Sequence, residues 1–149
     1  RINAIIKFRE NWRPFCPSIL KELAPEILGS DHPSPFMALA FKVAPHWKDR
    51  IPEAVHVDGT CRPQTVEEHL NPKYYRLIKI FYQKTGIPAV INTSLNRRGE
   101  PMVCTPKDAL LMFKESGLEY LAIGDFLVRK SLLISSSKTS PGFNSFMQA

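Results

Sequence analysis

The spacing of apolar side chains predicts one amphipathic helix, and residues typical of helix ends predict a second. Between Asn71 and Gly86, apolar residues recur at i, i+3, i+4, i+7 and i+8, which places them on one helix face. Asn71 has the character of an N-cap, a proline follows it, and glycine commonly ends a helix. A second helix is predicted from Thr105, again with a proline next and with Asp108 in its first turn, to a point near Gly117.

Shorter apolar runs predict the strands. Over residues 2–8 every second residue is apolar, as in a strand with one buried face; these residues are Ile2, Ala4, Ile6 and Phe8. Further strands are predicted at residues 36–43, 54–57, 88–91, 120–123 and 126–128. Gly124-Asp125 separates the last two of these runs, which fits a break between two strands.

Three further signals precede the long helix. Residues 18–28 predict a short helix that ends at Gly29, and residues 45–52 predict a connection between strands. Thr65-Val66-Glu67-Glu68 has the form of a capping box. Because helices and strands mix without a regular βαβ rhythm, the predicted fold class is α+β with a mixed sheet.

Length and composition fit one domain with a core of its own. The chain has 149 residues, of which 44% are hydrophobic and 23% charged, as in a globular domain. No apolar run is long enough to span a membrane, so no membrane partner is expected. The first residues, from Arg1 onward, contain neither an initiator methionine nor a signal-peptide pattern, which leads us to expect a fragment of a longer protein.

Charge and cysteine content narrow the ligand class and the compartment. Lys and Arg number 20 and Asp and Glu number 14, so the net charge is +6. That charge favours anionic ligands, namely phosphates, nucleotides or nucleic acid. The three cysteines are widely spaced and form no CxxC pair, which indicates neither a zinc site nor a disulfide framework. Reduced thiols in the cytoplasm are the simplest interpretation.

The spacing of histidines and aromatics favours neither a metal site nor nucleic acid. The four histidines stand in no HxxxH or HExxH spacing, so no metal ligand is predicted. Aromatic residues alternate with cations after Lys73, but on a helix the aromatics fall on the apolar stripe and leave a solvated basic face. A nucleic-acid partner is therefore not expected.

Two short segments place cations where they could bind a ligand. Lys7 and Arg9, with Arg13 nearby, would share one face of the predicted strand. They would form either a solvated edge or a clamp for a phosphate or carboxylate. Asp58-Gly59 predicts a turn, after which Arg62 and Gln64 could point the same way, and a plain hairpin turn with an exposed charge also explains that pattern.

The loop of residues 92–101 concentrates hydroxyl, amide and guanidinium groups after a buried strand. Asn92, Ser94, Asn96 and Arg98 could cradle phosphate oxygens, and the same composition also fits an ordinary surface turn. The loop has no GxxxxGK[ST] pattern, so it is not a Walker A loop.

Taken in order along the chain, these groups resemble the C-terminal domain of NodU/CmcH-type O-carbamoyltransferases. The matching blocks are Ile6-Lys7-Phe8-Arg9-Glu10 with Trp12-Arg13-Pro14-Phe15-Cys16-Pro17-Ser18, then Val57 to Val66, Thr85 to Pro88, Asn92 to Asn96, Arg98 to Pro101, Thr105 to Ala109, and Ile123 to Leu127. The sequence departs from the family pattern where Cys61 replaces a common Ala, Leu95 a common Phe, and Arg97 a small apolar residue.

The resemblance implies a YrdC-like fold for residues 1–130, with helices around a twisted mixed sheet and a basic concave cavity. It implies that Lys7-Phe8-Arg9 and Ser94-Leu95-Asn96 serve as the KxR and SxN elements that hold ATP in such folds. The implied catalytic residues are Lys7, Arg9 and Arg62, and the implied nucleotide or carbamoyl phosphate ligands are Lys7, Arg9, Arg13, Arg62, Asn92, Ser94, Asn96 and Arg98.

The implied reaction converts carbamoyl phosphate and ATP, with Mg²⁺, to carbamoyl adenylate and pyrophosphate. The carbamoyl group would then pass to an acceptor hydroxyl in an N-terminal, actin-like domain of the same polypeptide, expected to lie outside this chain. Residues 131–149, rich in serine and without an acidic residue, are expected to form a flexible or peripheral tail. Two alternatives stay open: a nucleotide- or RNA-binding module without catalysis, and a structural lid for the missing domain.

Overall fold

The computed structural model describes residues 2–130, and the predicted tail at residues 131–149 lies outside them. The described chain forms two compact units, one of residues 14–93 and one of residues 2–13 together with residues 94–130. Each unit contains both helices and paired strands, so the predicted α+β class is confirmed. Between residues 2 and 130 no helix has the length and apolar character needed to cross a membrane.

The unit of residues 14–93 is built on a three-stranded mixed sheet. Its strands and α-helices, in chain order, are β1 (Cys16–Leu20), α1 (Ala24–Leu28), β2 (Phe41–Lys42), α2 (Pro45–Lys48), β3 (Thr60–Cys61), β4 (Gln64–Val66), α3 (Pro72–Thr85) and β5 (Ala89–Asn92). Short 3₁₀ turns occupy Lys21–Leu23 and Pro52–Ala54. In the sheet, β1 lies between β4, which runs parallel to it, and β5, which runs antiparallel. Strands β2 and β3 form a separate antiparallel pair.

One face of this sheet is polar at one end and apolar at the other. Directly opposed residues share a face, and the register pairs Ser18 with Gln64 and Cys16 with Asn92. Further along β1 on the same face, Leu20 is buried in a cluster with side chains of β4 and α3. Helix α3 therefore covers the apolar end, and the polar side chains gather at the other.

Helix α3 begins and ends where the sequence predicts. The Asn71 side chain accepts a hydrogen bond from the Tyr74 N–H at 3.3 Å, and Gly86 closes the helix with a φ of 72°. Tyr75 and Ile78 are buried against the sheet. Their i, i+3 spacing is what places both on the buried side of the helix.

The opposite face of the sheet packs against α1 and α2. Ile19 and Ala89, paired across β1 and β5, lie in one buried cluster with Ile27 and Trp47. The indole N–H of Trp47 donates to Glu26 Oε1 at 3.1 Å, so the polar edge of this large side chain is satisfied. Helices α1 and α2 thus cover this second face, and β1, which has a hydrogen-bonded neighbour on each side, is the central strand of the sheet.

The predicted helix over residues 18–28 is wrong in its first half. Strand β1 continues to Leu20, and α1 begins only at Ala24. Because β1 has a hydrogen-bonded neighbour on each side, sheet pairing overrides the local helical pattern. The helix stop at Gly29 is confirmed, with a φ of 62°.

Four other expectations for this unit are corrected. The strand predicted at residues 36–43 is limited to β2, and the backbone turns at Met37, whose φ is 56°. The strand predicted at residues 54–57 is absent there, since a 3₁₀ turn and an irregular segment occupy this part. The connection predicted at residues 45–52 contains α2. Thr65 is not a helix cap, because it lies in β4 and pairs with Ile19.

The unit of residues 2–13 and 94–130 has its core between a helix and a hairpin. Its elements are a π-helix (Ile2–Lys7), α4 (Pro106–Glu115), β6 (Tyr120–Ile123) and β7 (Phe126–Arg129). Strands β6 and β7 pair antiparallel around the turn at Gly124-Asp125. Phe113 is fully buried in a cluster with Ala109 and Leu121. The helix and both strands confirm the predictions for this region.

The N-terminal segment corrects the predicted strand at residues 2–8. Its helix buries the polar side chains of Asn3 and Lys7, whereas an alternating strand would have buried its apolar ones. The backbone then turns sharply at Phe8, whose φ is 50°. A side chain at Gly117 would collide with Ile5, so the absence of a Cβ there permits the close approach of this helix.

Replacing Thr105 by alanine should lower the free energy of unfolding by ~1 kcal/mol, the typical value of an N-cap. Thr105 Oγ1 accepts from the Asp108 N–H at 3.2 Å, and Asp108 Oδ2 accepts from the Thr105 N–H at 2.9 Å. Urea titration measures the change. Thr105→Ser, which keeps the hydroxyl, is the control and should remain near wild type. Equal stability of the alanine variant would contradict the reciprocal cap.

Candidate functional site

Lys7 lies at the centre of a buried polar cluster, the Lys7 cage, which it forms with Ser94 and Asn96. Only 4% of Lys7 is exposed. Its Nζ lies 2.6 Å from the Ser94 carbonyl oxygen and 2.8 Å from that of Asn96. It also donates to Ser94 Oγ at 3.2 Å and to Asn96 Oδ1 at 2.6 Å. The fold thus joins the predicted KxR and SxN elements, which lie 87 positions apart in the chain at Lys7 and Ser94.

The ammonium group of Lys7 is saturated by these oxygens. A lysine has three N–H donors, and four acceptor oxygens surround this one. Burial lowers the pKa of Lys7, and the positive charge of Arg9 lowers it further. A phosphate could therefore bind Lys7 directly only by replacing one of the protein oxygens.

Leu95 fixes the cage loop to the core of its unit. Its side chain packs against the buried cluster that contains Phe113. On either side of Leu95, the polar residues bind each other, since Ser94 Oγ donates to Asn96 Oδ1 at 2.6 Å. Asn96 Nδ2 donates in turn to the Glu100 carbonyl at 2.8 Å. The alternation of polar, apolar and polar residues therefore anchors the loop and positions both cage side chains.

Arg9 is held by the N-terminal helix and does not share a strand face with Lys7. Its Nε donates to Asn3 Oδ1 at 2.7 Å, and its backbone N–H donates to the Asn3 carbonyl at 3.0 Å. Asn3 Nδ2 donates to the Arg13 carbonyl at 2.8 Å. The left-handed residue Phe8 separates Lys7 from Arg9, so a turn sets the relative directions of the two cations.

Glu10 is a counter-ion of Arg13 and Arg98, and it was not predicted as a site residue. Its Oε2 lies 3.1 Å from Arg13 Nη2, and its Oε1 lies 3.8 Å from Arg98 Nη1. A hydrogen bond from its own backbone N–H lowers the pKa of Glu10; burial opposes this, and the charges of Arg13, Arg98 and Arg9 lower it further. The i, i+3 spacing of Glu10 and Arg13 is the sequence signal for this pair. An anionic ligand at these arginines would compete with Glu10.

Replacing Glu10 by glutamine should lower the Tm at neutral pH and leave it unchanged in strong acid. The folded-state pKa of Glu10 lies below its ordinary value of 4.5, so its stabilising contribution is complete above pH 4.5 and is lost as the pH falls through the folded-state pKa. We expect the wild type to have the higher Tm at neutral pH and the difference to vanish well below pH 4.5. Melting curves over a pH series measure this. A difference that persists in acid would contradict the ionic role of Glu10.

Arg97, one of the departures from the family pattern, is balanced by two carboxylates. Its Nε donates to both Glu100 oxygens at 3.0 Å, and its Nη2 lies 2.8 Å from Glu115 Oε2. The hydrogen bonds from Arg97 lower the pKa of Glu100. The charge that Arg97 adds beside the loop is therefore compensated within the same unit.

Arg62 and Asn92 belong to the unit of residues 14–93, separately from the Lys7 cage. Asn92 Nδ2 donates to Ser18 Oγ at 3.0 Å and to Gln64 Oε1 at 2.9 Å. Arg62 is exposed, and its Nη2 lies 3.8 Å from Cys16 Sγ. Ser18 and Gln64 were not predicted as site residues. A serine inside an apolar strand is a signal that could have indicated them, because a buried hydroxyl requires a polar partner.

The residues that carry metal-binding groups are dispersed. Nowhere in residues 2–130 do three His, Cys, Asp or Glu side chains come together as metal ligands would. The three cysteines are free thiols, and burial, with a smaller contribution from Cys16, raises the pKa of Cys61 to about 12. Cys61 is therefore a neutral thiol, and no metal ligand is assigned to the described part of the chain.

Comparison with known proteins relates the chain to one family. The family described as the carbamoyltransferase C-terminus matches residues 1–130. An uncharacterized protein of Methanocaldococcus jannaschii is 41% identical over 132 residues, which cover 89% of this chain and 22% of that protein. The nodulation protein NolNO of Sinorhizobium fredii is 40% identical over 133 residues, which cover 87% of this chain and 20% of that protein. The nodulation protein NolO of Bradyrhizobium diazoefficiens is 41% identical over 133 residues, with coverages of 87% and 24%.

The region that matches includes both polar clusters. Residues 1–130 contain the Lys7 cage, the arginines around Glu10 and the polar face of the sheet. The chain spans about a fifth of the length of the curated relatives that it matches. On the strength of this match, the chain belongs to the carbamoyltransferase C-terminus family.

Proposed function

We propose that this chain is the adenylating domain of an O-carbamoyltransferase, which binds ATP and carbamoyl phosphate and forms carbamoyl adenylate. The observation that carries the proposal is the Lys7 cage, in which a buried ammonium contacts both Ser94 and Asn96. This contact joins the two elements to which the resemblance assigns ATP binding. Membership of the carbamoyltransferase family supports the class of group transferred.

The proposed reaction has two steps. Water first hydrolyses carbamoyl phosphate to carbamate and inorganic phosphate. A carbamate oxygen then bonds to the α-phosphorus of ATP while the bond from that phosphorus to the oxygen it shares with the β-phosphorus breaks. Pyrophosphate leaves with that oxygen and its electron pair. No covalent bond to the protein is needed, so the protein contributes orientation and charge.

The arginines of the unit that holds the cage would neutralise the ligand phosphates. Arg9, Arg13 and Arg98 would supply the charge, and phosphate oxygens would displace Glu10 from Arg13 and Arg98. Lys7 would exchange one of its protein oxygens for a phosphate oxygen as ATP binds. When bound, Mg²⁺ would neutralise part of the charge on the ATP phosphates, and none of residues 2–130 is assigned as its ligand.

The second half of the transfer is proposed for another part of a longer polypeptide. The chain matches about a fifth of the length of its relatives. The unmatched remainder of those relatives is long enough to contain a further domain. We propose that an N-terminal, actin-like domain takes up carbamoyl adenylate and passes the carbamoyl group to an acceptor hydroxyl in a cytoplasmic biosynthetic reaction.

Pyrophosphate release from ATP and Mg²⁺ tests the proposed chemistry. With the 149-residue chain, we expect release that requires carbamoyl phosphate and that inorganic phosphate does not replace. The reason is that only carbamoyl phosphate supplies the attacking carbamate. A folded chain that binds ATP and carbamoyl phosphate and releases no pyrophosphate would contradict adenylation by this domain.

A nucleotide- or RNA-binding module without catalysis is the second candidate, and the net charge of +6 favours it. RNA binding that rests on phosphate contacts should weaken by orders of magnitude between about 50 and about 200 mM salt. Affinity for a single-stranded RNA measured over this range distinguishes the two candidates. Tight, steeply salt-dependent binding without carbamoyl-phosphate-dependent pyrophosphate release would favour the module.

A further inference from the structure

Asn3, a residue of the N-terminal helix, contacts Arg9 through both its side chain and its backbone. Arg9 Nε donates to Asn3 Oδ1 at 2.7 Å, and the Arg9 backbone N–H donates to the Asn3 carbonyl at 3.0 Å. The Asn3 side chain is buried, so water does not compete freely for these bonds. Both residues lie in the unit of residues 2–13 and 94–130.

The chemistry of the Asn3 carboxamide decides which of its ends faces Arg9. Its Nδ2 donates to the backbone carbonyls of Asn11 at 3.3 Å and of Arg13 at 2.8 Å. A carbonyl oxygen only accepts, so the NH₂ group must face these two carbonyls and Oδ1 must face the other way. A guanidinium only donates, so Oδ1 is the end that Arg9 requires. All these contacts therefore agree on one orientation of the amide.

The N-terminal helix buries polar side chains and exposes an apolar one. Asn3 and Lys7 are both buried, whereas Ile5 is 46% exposed. Burial of an amide or an ammonium costs free energy unless the group is hydrogen-bonded, and burial of an isoleucine would be favourable. Apolar packing alone therefore does not explain which side of the helix is turned inward. The helix is a π-helix, a rare form that frequently occurs at functional sites.

We propose that Asn3 is a positioning residue for ATP binding, which acts on the ligand phosphates only through Arg9. This inference rests on the proposed function, in which Arg9 neutralises phosphate charge. A guanidinium group is planar and rigid, so an acceptor held at Nε sets the direction of the remaining nitrogens. Asn3 itself supplies no charge.

The expected effect follows from the conformational freedom of an arginine side chain. Without the carboxamide, Arg9 would sample more rotamers, and a bound phosphate would have to restrict them again. Restricting one such side chain costs about tenfold in affinity. A purely structural Asn3 would act differently, because its bonds to the carbonyls of Asn11 and Arg13 order the segment of residues 11–13 whether or not Arg9 is present.

A double-mutant cycle between Asn3 and Arg9 distinguishes these two roles. The dissociation constant of ATP with Mg²⁺ is measured by titration calorimetry on the full 149-residue chain. Asn3→Leu should weaken binding about tenfold in the wild type, and by less than about twofold when Arg9→Met is already present. Asn11→Leu makes the same change at an exposed side chain and should bind ATP as the wild type does.

The outcomes separate this inference from the proposed function. A wild type that binds ATP no better than Asn3→Leu, or an equal loss in both backgrounds, would overturn the inference and leave the proposed function standing. An Arg9→Met variant that binds ATP as tightly as the wild type would also overturn it. A wild type that does not bind ATP would contradict the proposed function and the inference with it.

Melting curves check that each variant folds. Should Asn3→Leu fail to fold, Asn3→Ala is the second variant, because it removes the same side-chain bonds and introduces a smaller group. Its loss of ATP affinity should likewise be much larger in the wild type than in Arg9→Met.

Discussion

Replacing Lys7 by methionine is expected to reduce carbamoyl-phosphate-dependent pyrophosphate release by about 10²-fold or more. Methionine keeps most of the alkyl chain but removes the ammonium, which leaves oxygens of Ser94 and Asn96 without their shared donor. The cage loop then loses its central ion, and the ligand loses a cation. Steady-state pyrophosphate release with saturating ATP measures the effect.

A surface lysine provides the matched control for this variant. Lys107→Met makes the same chemical change at an exposed position in the first turn of α4 and should leave the rate unchanged. Lys7→Arg should also be slow, because a branched guanidinium does not fit a buried cage built for one nitrogen atom. A Lys7→Met variant that folds and retains the wild-type rate would contradict the role given to the cage.

Replacing Phe113 by alanine is expected to lower the free energy of unfolding by about 3–5 kcal/mol. Phe113 is fully buried in the core of its unit, with Ala109 and Leu121. Truncation removes a large apolar side chain and leaves a cavity that the neighbouring residues fill only in part. Chemical denaturation of the full chain measures the loss.

The neighbouring position Leu110 supplies a control on the same helix. Leu110 is 41% exposed, so Leu110→Ala should cost well under half as much as Phe113→Ala. Because Leu95 packs on the Phe113 cluster, hydrogen exchange at the cage loop should also rise in Phe113→Ala. A loss in Phe113→Ala no larger than that in Leu110→Ala would contradict the placement of this core.

The elements predicted correctly are those whose local signals agree with their packing. Helices α3 and α4 each combine an N-cap with a proline in the first turn, and both helices begin where these signals place them. The apolar stripe predicted for α3 is only partly buried, since Ile78 is fully buried but Leu77 and Phe81 are 54% and 40% exposed. The last two strands are short, but the break at Gly124-Asp125 separates them as a turn. In these elements nothing distant in sequence opposes the local preference.

The incorrect predictions arose where distant partners decide the structure. Alternation over residues 2–8 suggested a strand, yet the segment is ordered by Lys7 and Asn3, whose partners include a loop far along the chain. Residues 18–20 carry a helical pattern but lie in β1, because β4 and β5 supply hydrogen-bonding partners on both sides. The spacing of apolar and polar residues within a segment contains no information about such distant partners.

The candidate site was predictable in its residue types and only partly in its arrangement. Lys7, Ser94 and Asn96 were expected to act together, and the structure brings them into contact. The saturation of Lys7 by these oxygens was not foreseen, since it depends on the depth of burial. Glu10 was also overlooked, and Gln64 was noted only beside Arg62 after a turn, because the importance of both lies in the partners that the fold gives them.

Direct detection of carbamoyl adenylate tests whether this domain adenylates carbamate. The 149-residue chain is incubated with ATP, Mg²⁺ and carbamoyl phosphate labelled with ¹³C, then quenched and examined by mass spectrometry. We expect carbamoyl adenylate that carries the label, formed together with pyrophosphate and absent with Lys7→Met. A folded chain that binds both substrates and yields no labelled adenylate would contradict this expectation.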